Sequence, residues 1–291
     1  LVSGGTGFIG QALCPQLIQD GHDVVVWSRQ AEPKVAEGVT AIQRLDEFRG
    51  PNPDAVINLA GASIADGRWT EVRKRLLMDS RVDTTRELVE WMRKMESPPK
   101  ALISSSAVGY YGEQGDRVIT EDTPPTAGFT HDLCAQWENE ALRAEPLGVR
   151  VCLVRTGVVL DREGGALAKM LLPFKMGAGG RLGSGKHYFP WIHRADIVRI
   201  YQWLAANEQA SGPYNASAPN PVTNAEFTRA LGRALKRPTL FPMPEPVLRL
   251  LFGEMSELLL VSNRMMPKRL LDEGFEFQYP ELNQALQAIL G

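Results

Sequence analysis

The chain opens on Gly4-Gly5-Thr6-Gly7-Phe8-Ile9-Gly10, a glycine loop set between the end of an apolar strand and the start of an amphipathic helix. Gly4 permits a tight turn, Gly7 lets backbone approach a pyrophosphate, and Gly10 lets the helix press against the strand. The positive end of that helix favours an anion. Leu13, Leu17 and Ile18 continue an apolar helical face, and Gly21 stops it before Val24-Val25-Val26. A βαβ unit therefore begins here. The GxxGxxG spacing alone is a weak signal, but its strand-to-helix context favours a dinucleotide site over an unliganded turn. The contacts expected from the loop are Gly4, Thr6, Gly7, Phe8, Ile9 and Gly10.

The end of the second strand indicates which dinucleotide. A site for the cofactor lacking a 2′-phosphate usually places a carboxylate about 20 residues beyond the loop, on the adenosine ribose. That position reads Trp27-Ser28-Arg29 instead. A guanidinium holds a phosphate through two parallel hydrogen bonds, and the Ser28 hydroxyl adds another, so NADP(H) is expected. A solvated strand-end cation is the alternative for Arg29.

Composition narrows the partners. The 32 basic and 34 acidic residues leave a net charge of -2 with no long charge block, so neither nucleic acid nor membrane is expected, and a small-molecule substrate fits better. Cys14, Cys134 and Cys152 form no CxxC and are odd in number. Neither a disulfide framework nor a metal site is suggested, and the cytoplasm is the expected compartment. No apolar run approaches the roughly 20 residues that cross a bilayer. The chain begins inside its expected first strand, so a few residues are expected before Leu1.

Strands and helices then alternate as a doubly wound parallel sheet requires. Ala55 to Leu59 reads as a strand ending at Ala60-Gly61, where small residues leave room for cofactor, making Leu59, Ala60 and Gly61 further candidate contacts. A helix is expected from about Arg68 to Met95, a strand at Ala101-Leu102-Ile103 running into Ser104-Ser105-Ser106, a helix around Asp132 to Ala144, and a buried strand from Val149 to Val154. Ligands of such sheets lie at the carboxyl ends of the strands.

Beyond this the chain turns glycine-rich between Gly164 and Gly185, with Lys169, Lys175, Arg181, Lys186 and His187 interspersed. Such a segment can fold over an anionic substrate or simply mark turns. Thr223-Asn224-Ala225-Glu226 is a capping box that starts a helix bearing Phe227, Leu231 and Leu235. His193 and Asp196 are expected to organise the start of a preceding helix, and Arg264, Lys268 and Arg269 form a basic patch. The alternation Phe275 to Tyr279 predicts a short strand before a final helix around Glu281 to Leu290.

The glycine loop, Asn58-Leu59-Ala60-Gly61, the triple serine followed by Tyr110-Tyr111-Gly112, and Trp191 to Asp196 together resemble an extended short-chain dehydrogenase/reductase. Asn58 to Gly61 with Arg68-Trp69, Arg155 to Leu160, and Phe189 to His193 resemble more narrowly its atypical epimerase-family branch. The resemblance covers nearly the whole chain. It implies a Rossmann core, NADP(H), a monomer or homodimer, a family-specific C-terminal module, and a cofactor contact at Val159. Arg81 stands where the family has an asparagine, and a cation there is expected to face a diphosphate or ribose oxygen. A helix-surface salt bridge with Asp83 or Glu87 is the alternative for Arg81.

The departure lies in the catalytic pair. The family carries Tyr-x-x-x-Lys on the helix after the serine strand, where the lysine lowers the tyrosine pKa. Aligned on Glu138, those positions hold Thr130 and Cys134, neither of which replaces them. The remaining candidates are Ser106, at the family's substrate-carbonyl position, with Tyr110, Tyr111 and His131; a packing or loop-anchoring role is the alternative for the two tyrosines, and an exposed helix-start residue for His131.

The reading is an α/β fold, a Rossmann-type doubly wound parallel sheet with a smaller C-terminal α+β lobe. Residues 1–160 form the cofactor core, 161–237 a mixed substrate-side segment, and 238–291 a C-terminal helical module. The function expected is an NADP(H)-dependent oxidoreductase or epimerase on a small polar substrate, with an NADP(H)-binding regulator or scaffold without turnover as the alternative.

Overall fold

The computed structural model describes residues 1–291. In chain order the first strands are β1 (Val2–Ser3), β2 (Val25–Trp27), β3 (Thr40–Ile42), β4 (Ala55–Asn58) and β5 (Ala101–Ala107). After them come β6 (Val118–Ile119), β7 (Arg150–Thr156), β8 (Val158–Asp161), β9 (Tyr188–Phe189) and β10 (Trp191–His193). The last are β11 (Gly212–Ala216), β12 (Val222–Thr223) and β13 (Arg264–Met265). Helices α1 (Gly10–Gln19), α2 (Glu71–Arg93), α3 (Phe129–Leu142), α4 (Gly165–Lys175) and α5 (Arg194–Ala206) belong to the first two-thirds of the chain. The remainder holds α6 (Asn224–Leu235), α7 (Glu245–Phe252), α8 (Glu257–Leu260), α9 (Lys268–Asp272) and α10 (Leu282–Leu290).

A 7-stranded sheet runs β3-β2-β1-β4-β5-β7-β11, and every neighbouring pair in it is parallel. Its strand order reverses direction at β1, where a doubly wound sheet opens a crevice for ligand. Leu13 and Leu17 of α1 and Ile197, Tyr201 and Leu204 of α5 bury one face. Leu88, Val89 and Met92 of α2 with Ala141 of α3 bury the other. The central strands are apolar on both sides because helices cover both.

Parallel register also lines polar residues across the sheet's carboxyl edge. Ser3 lies beside Asn58, which lies beside Ser104. Further along, Ser106 lies beside Arg155, which lies beside Asn215. Side chains alternate across a strand, so Ser104 and Ser106 face α2 and α3 while Ser105 faces α5; its hydroxyl meets Tyr201 at 2.6 Å.

The C-terminal third is not a detached module. Leu160, Leu167, Phe227 and Leu231 share one core with Leu282, Leu286 and Ile289 of α10, and β13 pairs with β6. Thr223 and Glu226 form the expected capping box. The Nδ1 of His193 caps α5 by accepting the Ala195 amide at 3.0 Å, as its position before the helix suggested.

Residues 275–279 do not form the expected strand. No neighbouring strand offers a ladder, and the wholly buried Asp196 carboxylate takes the amides of Gln278 at 2.7 Å and Tyr279 at 2.9 Å instead. The His193 ring stacks on Tyr279 at 3.9 Å. Period-two alternation had the right local shape and no partner edge.

Asp196→Ala leaves those two amides without acceptors, which costs about 2–5 kcal/mol. Urea denaturation should read that loss, whereas a change within about 0.5 kcal/mol, the size of an ordinary surface substitution, would show that the carboxylate does not hold this segment.

Candidate functional site

The glycine loop is built by close backbone approach. A Cβ on Gly4, whose φ is +68°, would lie 2.8 Å from the Leu59 carbonyl carbon. One on Gly10 would lie 2.5 Å from the Gly4 oxygen and from Gly5 Cα, so α1 starts pressed against β1. Gly7 is exposed, and its Cβ position meets only the Gly4 oxygen, at 3.1 Å. Thr6 sits within the turn between β1 and α1.

Helix α1 begins without a side-chain cap and with no acidic residue in its first turn. The amides of Phe8, Ile9 and Gly10 reach no backbone acceptor, while the Gly7 amide closes the turn on Gly4 at 2.9 Å. Free donors and an unopposed helix dipole meet at one point, which suits a diphosphate. Phe8 does more than line the loop. Its ring lies beneath the Arg194 guanidinium at 4.7 Å and against the Gly164-Gly165 turn, where a Cβ would approach it to 2.6 Å. Val159, in β8, pairs with Ile192 and leads into that turn.

Ser28 is buried at the end of β2 and Arg29 is exposed beside it. The Ser28 oxygen accepts the Gln30 amide at 3.3 Å. At the end of β4 the side chain of Asn58 joins three strands and a helix: it accepts from Ser3 at 2.6 Å and donates to Thr85 at 2.8 Å and to Ser104 at 3.3 Å. Leu59, Ala60 and Gly61 follow as backbone floor.

Arg81 makes no salt bridge with Asp83 or Glu87. It lies against Gly61, with its Cζ 3.1 Å from where a Cβ would stand, and donates to the Leu77 carbonyl at 3.1 Å and the Ala62 carbonyl at 3.0 Å. The guanidinium also sits 5.2 Å above Trp137. Burial without a nearby carboxylate lowers it from its usual value. It thus lies against the end of β4 and spends donors on the Leu77 and Ala62 carbonyls.

The catalytic candidates converge less than the sequence suggested. Ser106 is buried and donates its hydroxyl to Glu138 at 2.6 Å. Tyr111 does not approach the cleft: it is 0% exposed, donates to Asn215 at 2.6 Å, and accepts from Arg155 at 3.1 Å. Burial pushes its phenol up to about 12, so its role is anchorage. Tyr110 stays half-buried, with the Arg155 guanidinium 3.4 Å from its ring centre. His131 is half-buried too, its Nδ1 2.7 Å from the Tyr110 carbonyl oxygen. Thr130 and Cys134 press α3 onto this turn, since a Cβ on Gly109 would lie 3.0 Å from Thr130 and 3.6 Å from the Cys134 sulfur. Burial pushes the Cys134 thiol up to about 12, leaving it inert.

Sequence reasoning missed the centre of the cluster. Arg155 and Glu138 are 4% and 5% exposed and form a two-point ion pair at 2.9 Å and 2.8 Å. Burial alone depresses the Arg155 guanidinium, yet the hydrogen bonds and charge of Glu138 outweigh it and hold the group above its usual value. Arg155 also donates to the Glu121 carbonyl at 3.2 Å, and the Glu121 carboxylate accepts the amides of Asn215 and Arg269. A signal was available: a cation inside the apolar run Val151 to Leu160 requires a buried counterion. In the basic patch Lys268 pairs with Asp272 and Arg269 with Glu273 along their own helix.

A doubly wound sheet with this loop and serine strand defines a dinucleotide-binding protein of the extended short-chain dehydrogenase/reductase kind. The chain belongs to the NAD dependent epimerase/dehydratase family, whose model matches residues 1–217. Residues 243–289 match a domain of unknown function, DUF1731. The epimerase family protein SDR39U1 of Mus musculus is 40% identical, over 100% of this chain and 99% of its own. YfhF of Bacillus subtilis is 39% identical, over 99% and 97%. A crystal structure of human SDR39U1 with NADPH superposes with TM-score 0.92 at 38% identity, over 99% of this chain and 98% of that one. A Thermus thermophilus UDP-glucose 4-epimerase complex with NAD, at 19% identity and TM-score 0.78, shares the fold.

Truncating Arg155 to Met should cost about 3–5 kcal/mol by stranding Glu138, whereas Glu138→Leu/Arg155→Met together should recover most of it. Denaturation curves of the three variants read this directly, and a single variant as stable as the native protein would remove the pair from its central place.

Proposed function

We propose that this chain binds NADP(H) along the carboxyl ends of β1, β2 and β4 and transfers hydride, as an oxidoreductase or epimerase, on a small polar substrate held beside β5. The observation that carries the reading is the start of α1, where the uncapped, acid-free helix end and the free amides of Phe8, Ile9 and Gly10 meet at the glycine cradle. The NADPH complex of the human relative supports it. Arg29 and Ser28 stand at the β2 end to receive the 2′-phosphate, with Leu59, Ala60 and Gly61 beneath the cofactor and Arg81 and Val159 at its margins. A bound nicotinamide supplies the carbon that gives or accepts the hydride.

The chain's own groups supply position and proton handling. Glu138 holds the Ser106 hydrogen, which fixes the direction of the two Ser106 lone pairs. Arg155 clamps the ring of Tyr110, and His131 clamps its backbone. On this reading Tyr110 and His131 exchange protons with substrate in place of the family's tyrosine, and Ser106, its hydrogen held by Glu138, orients a substrate hydroxyl by accepting from it.

A regulator without turnover is the second reading, favoured by one observation: Thr130 and Cys134 fill the family's catalytic positions as packing residues. Screening carbonyl compounds and sugar nucleotides with NADPH separates the two. Tyr110→Phe and Ser106→Ala should each lower turnover about a hundredfold or more while retaining NADPH affinity. Cofactor binding without any turnover would favour the regulator.

Arg29→Ala should weaken NADPH by about tenfold or more, as expected for a lost charge-assisted phosphate contact, and leave NADH almost unchanged. Fluorescence titration measures both, and equal losses would defeat the 2′-phosphate assignment.

A further inference from the structure

The near-neutral charge of the chain conceals a sharp local imbalance. Residues 164–195 contain Lys169, Lys175, Arg181, Lys186 and Arg194 but no Asp or Glu, and residues 227–244 contain Arg229, Arg233, Lys236 and Arg237 but no Asp or Glu. The fold packs these two segments on one another. Arg237 donates to the Lys175 carbonyl at 2.9 Å. The Gly183 amide donates to the Met243 carbonyl and the Met243 amide to the Arg181 carbonyl, both at 2.9 Å. Gly180 lies so close to the Phe241 backbone that a Cβ would stand 1.9 Å from its carbonyl oxygen.

At that junction large apolar side chains stand in water. Leu172 and Met176, one helical turn apart at the end of α4, are 66% and 68% exposed, and Leu240 and Phe241 are 74% and 65% exposed. Lys169 pairs with Asp66 and Arg194 with Glu163, whereas Lys175, Arg233, Lys236 and Arg237 form no salt bridge. Arg237 uses its donors on the Lys175 and Lys236 carbonyls, and Arg233 uses one on the neutral Asn283. Next to Leu240, a concavity of about 440 Å³ is walled by Arg229, Arg233, Lys236 and Arg237 with Pro238 and Thr239.

We propose that this face docks on an anionic lipid bilayer: Leu172, Met176, Leu240 and Phe241 enter the headgroup boundary while Lys175, Lys236 and Arg237 meet lipid phosphates. Apolar anchors ringed by unpaired cations are the arrangement an anionic membrane surface binds, through buried apolar area and electrostatic attraction together. No helix is long and apolar enough to cross a membrane, so the attachment is peripheral and salt-sensitive. The charge complementarity selects this occupant, because a second copy would set the unpaired Lys175, Lys236 and Arg237 against cations of its own kind.

The test is flotation of the full chain with vesicles of phosphatidylcholine alone or with added phosphatidylglycerol, at low and high salt. Binding is expected only with the anionic lipid, and it should weaken at high salt. Lys236→Glu/Arg237→Glu and Leu240→Ser/Phe241→Ser should each reduce binding about tenfold or more. All four positions are side chains on the surface, and unchanged thermal melts confirm that the fold is intact. Equal recovery with neutral and anionic vesicles, or retained binding by both variants, would overturn the proposal. So would failure to float together with a concentration-dependent sedimentation shift that Phe241→Ser abolishes, which would assign the face to a second copy.

Discussion

The buried pair of Glu138 and Arg155 is the interaction on which the site's arrangement depends. Two charges taken from water on neighbouring elements are tolerable only when each satisfies the other, so α3 cannot move relative to β7 without exposing one. From that fixed point the rest follows. Glu138 orients Ser106, Arg155 holds Tyr110 by its ring and Tyr111 by its hydroxyl, and the Glu121 backbone completes the guanidinium's set of acceptors. Parallel register supplies the alignment, because Ser106, Arg155 and Asn215 occupy matching positions on β5, β7 and β11.

This arrangement suggests how a chain lacking the tyrosine and lysine of its wider class retains an ordered site. In the usual design a lysine one turn along the helix supplies positive charge beside the phenol. Here the positive charge comes from a strand, is neutralised by a carboxylate from the helix, and touches two aromatic rings. The helix positions thus released, Thr130 and Cys134, became packing surface against Gly109. The glycine-loop half of the molecule keeps the arrangement of its class, and the departures gather around Glu138 and Arg155.

What the sequence disclosed was whatever is encoded locally. The glycine loop, the capping box at Thr223, the strand-helix alternation and the His193 cap depend on residues within a few positions of one another, and each stands where the pattern placed it. Helix α2 starts at Glu71 rather than Arg68 because the Thr70 hydroxyl accepts the Arg73 amide and fixes the boundary. What the sequence withheld depends on distant partners. Glu138 and Arg155 are on different elements, Tyr111 finds Asn215 across 104 positions, and the Phe275 to Tyr279 segment is decided by Asp196. An alternating pattern states that one face is buried; it does not state whether a carboxylate or a strand lies beside it.

The most direct test of the central claim is a crystal structure of the NADPH complex. The account predicts the diphosphate on the amides of Phe8, Ile9 and Gly10, the 2′-phosphate on Arg29 and Ser28, and the nicotinamide directed toward Ser106 and Tyr110. A diphosphate bound away from α1, or a 2′-phosphate that touches neither Arg29 nor Ser28, would contradict it.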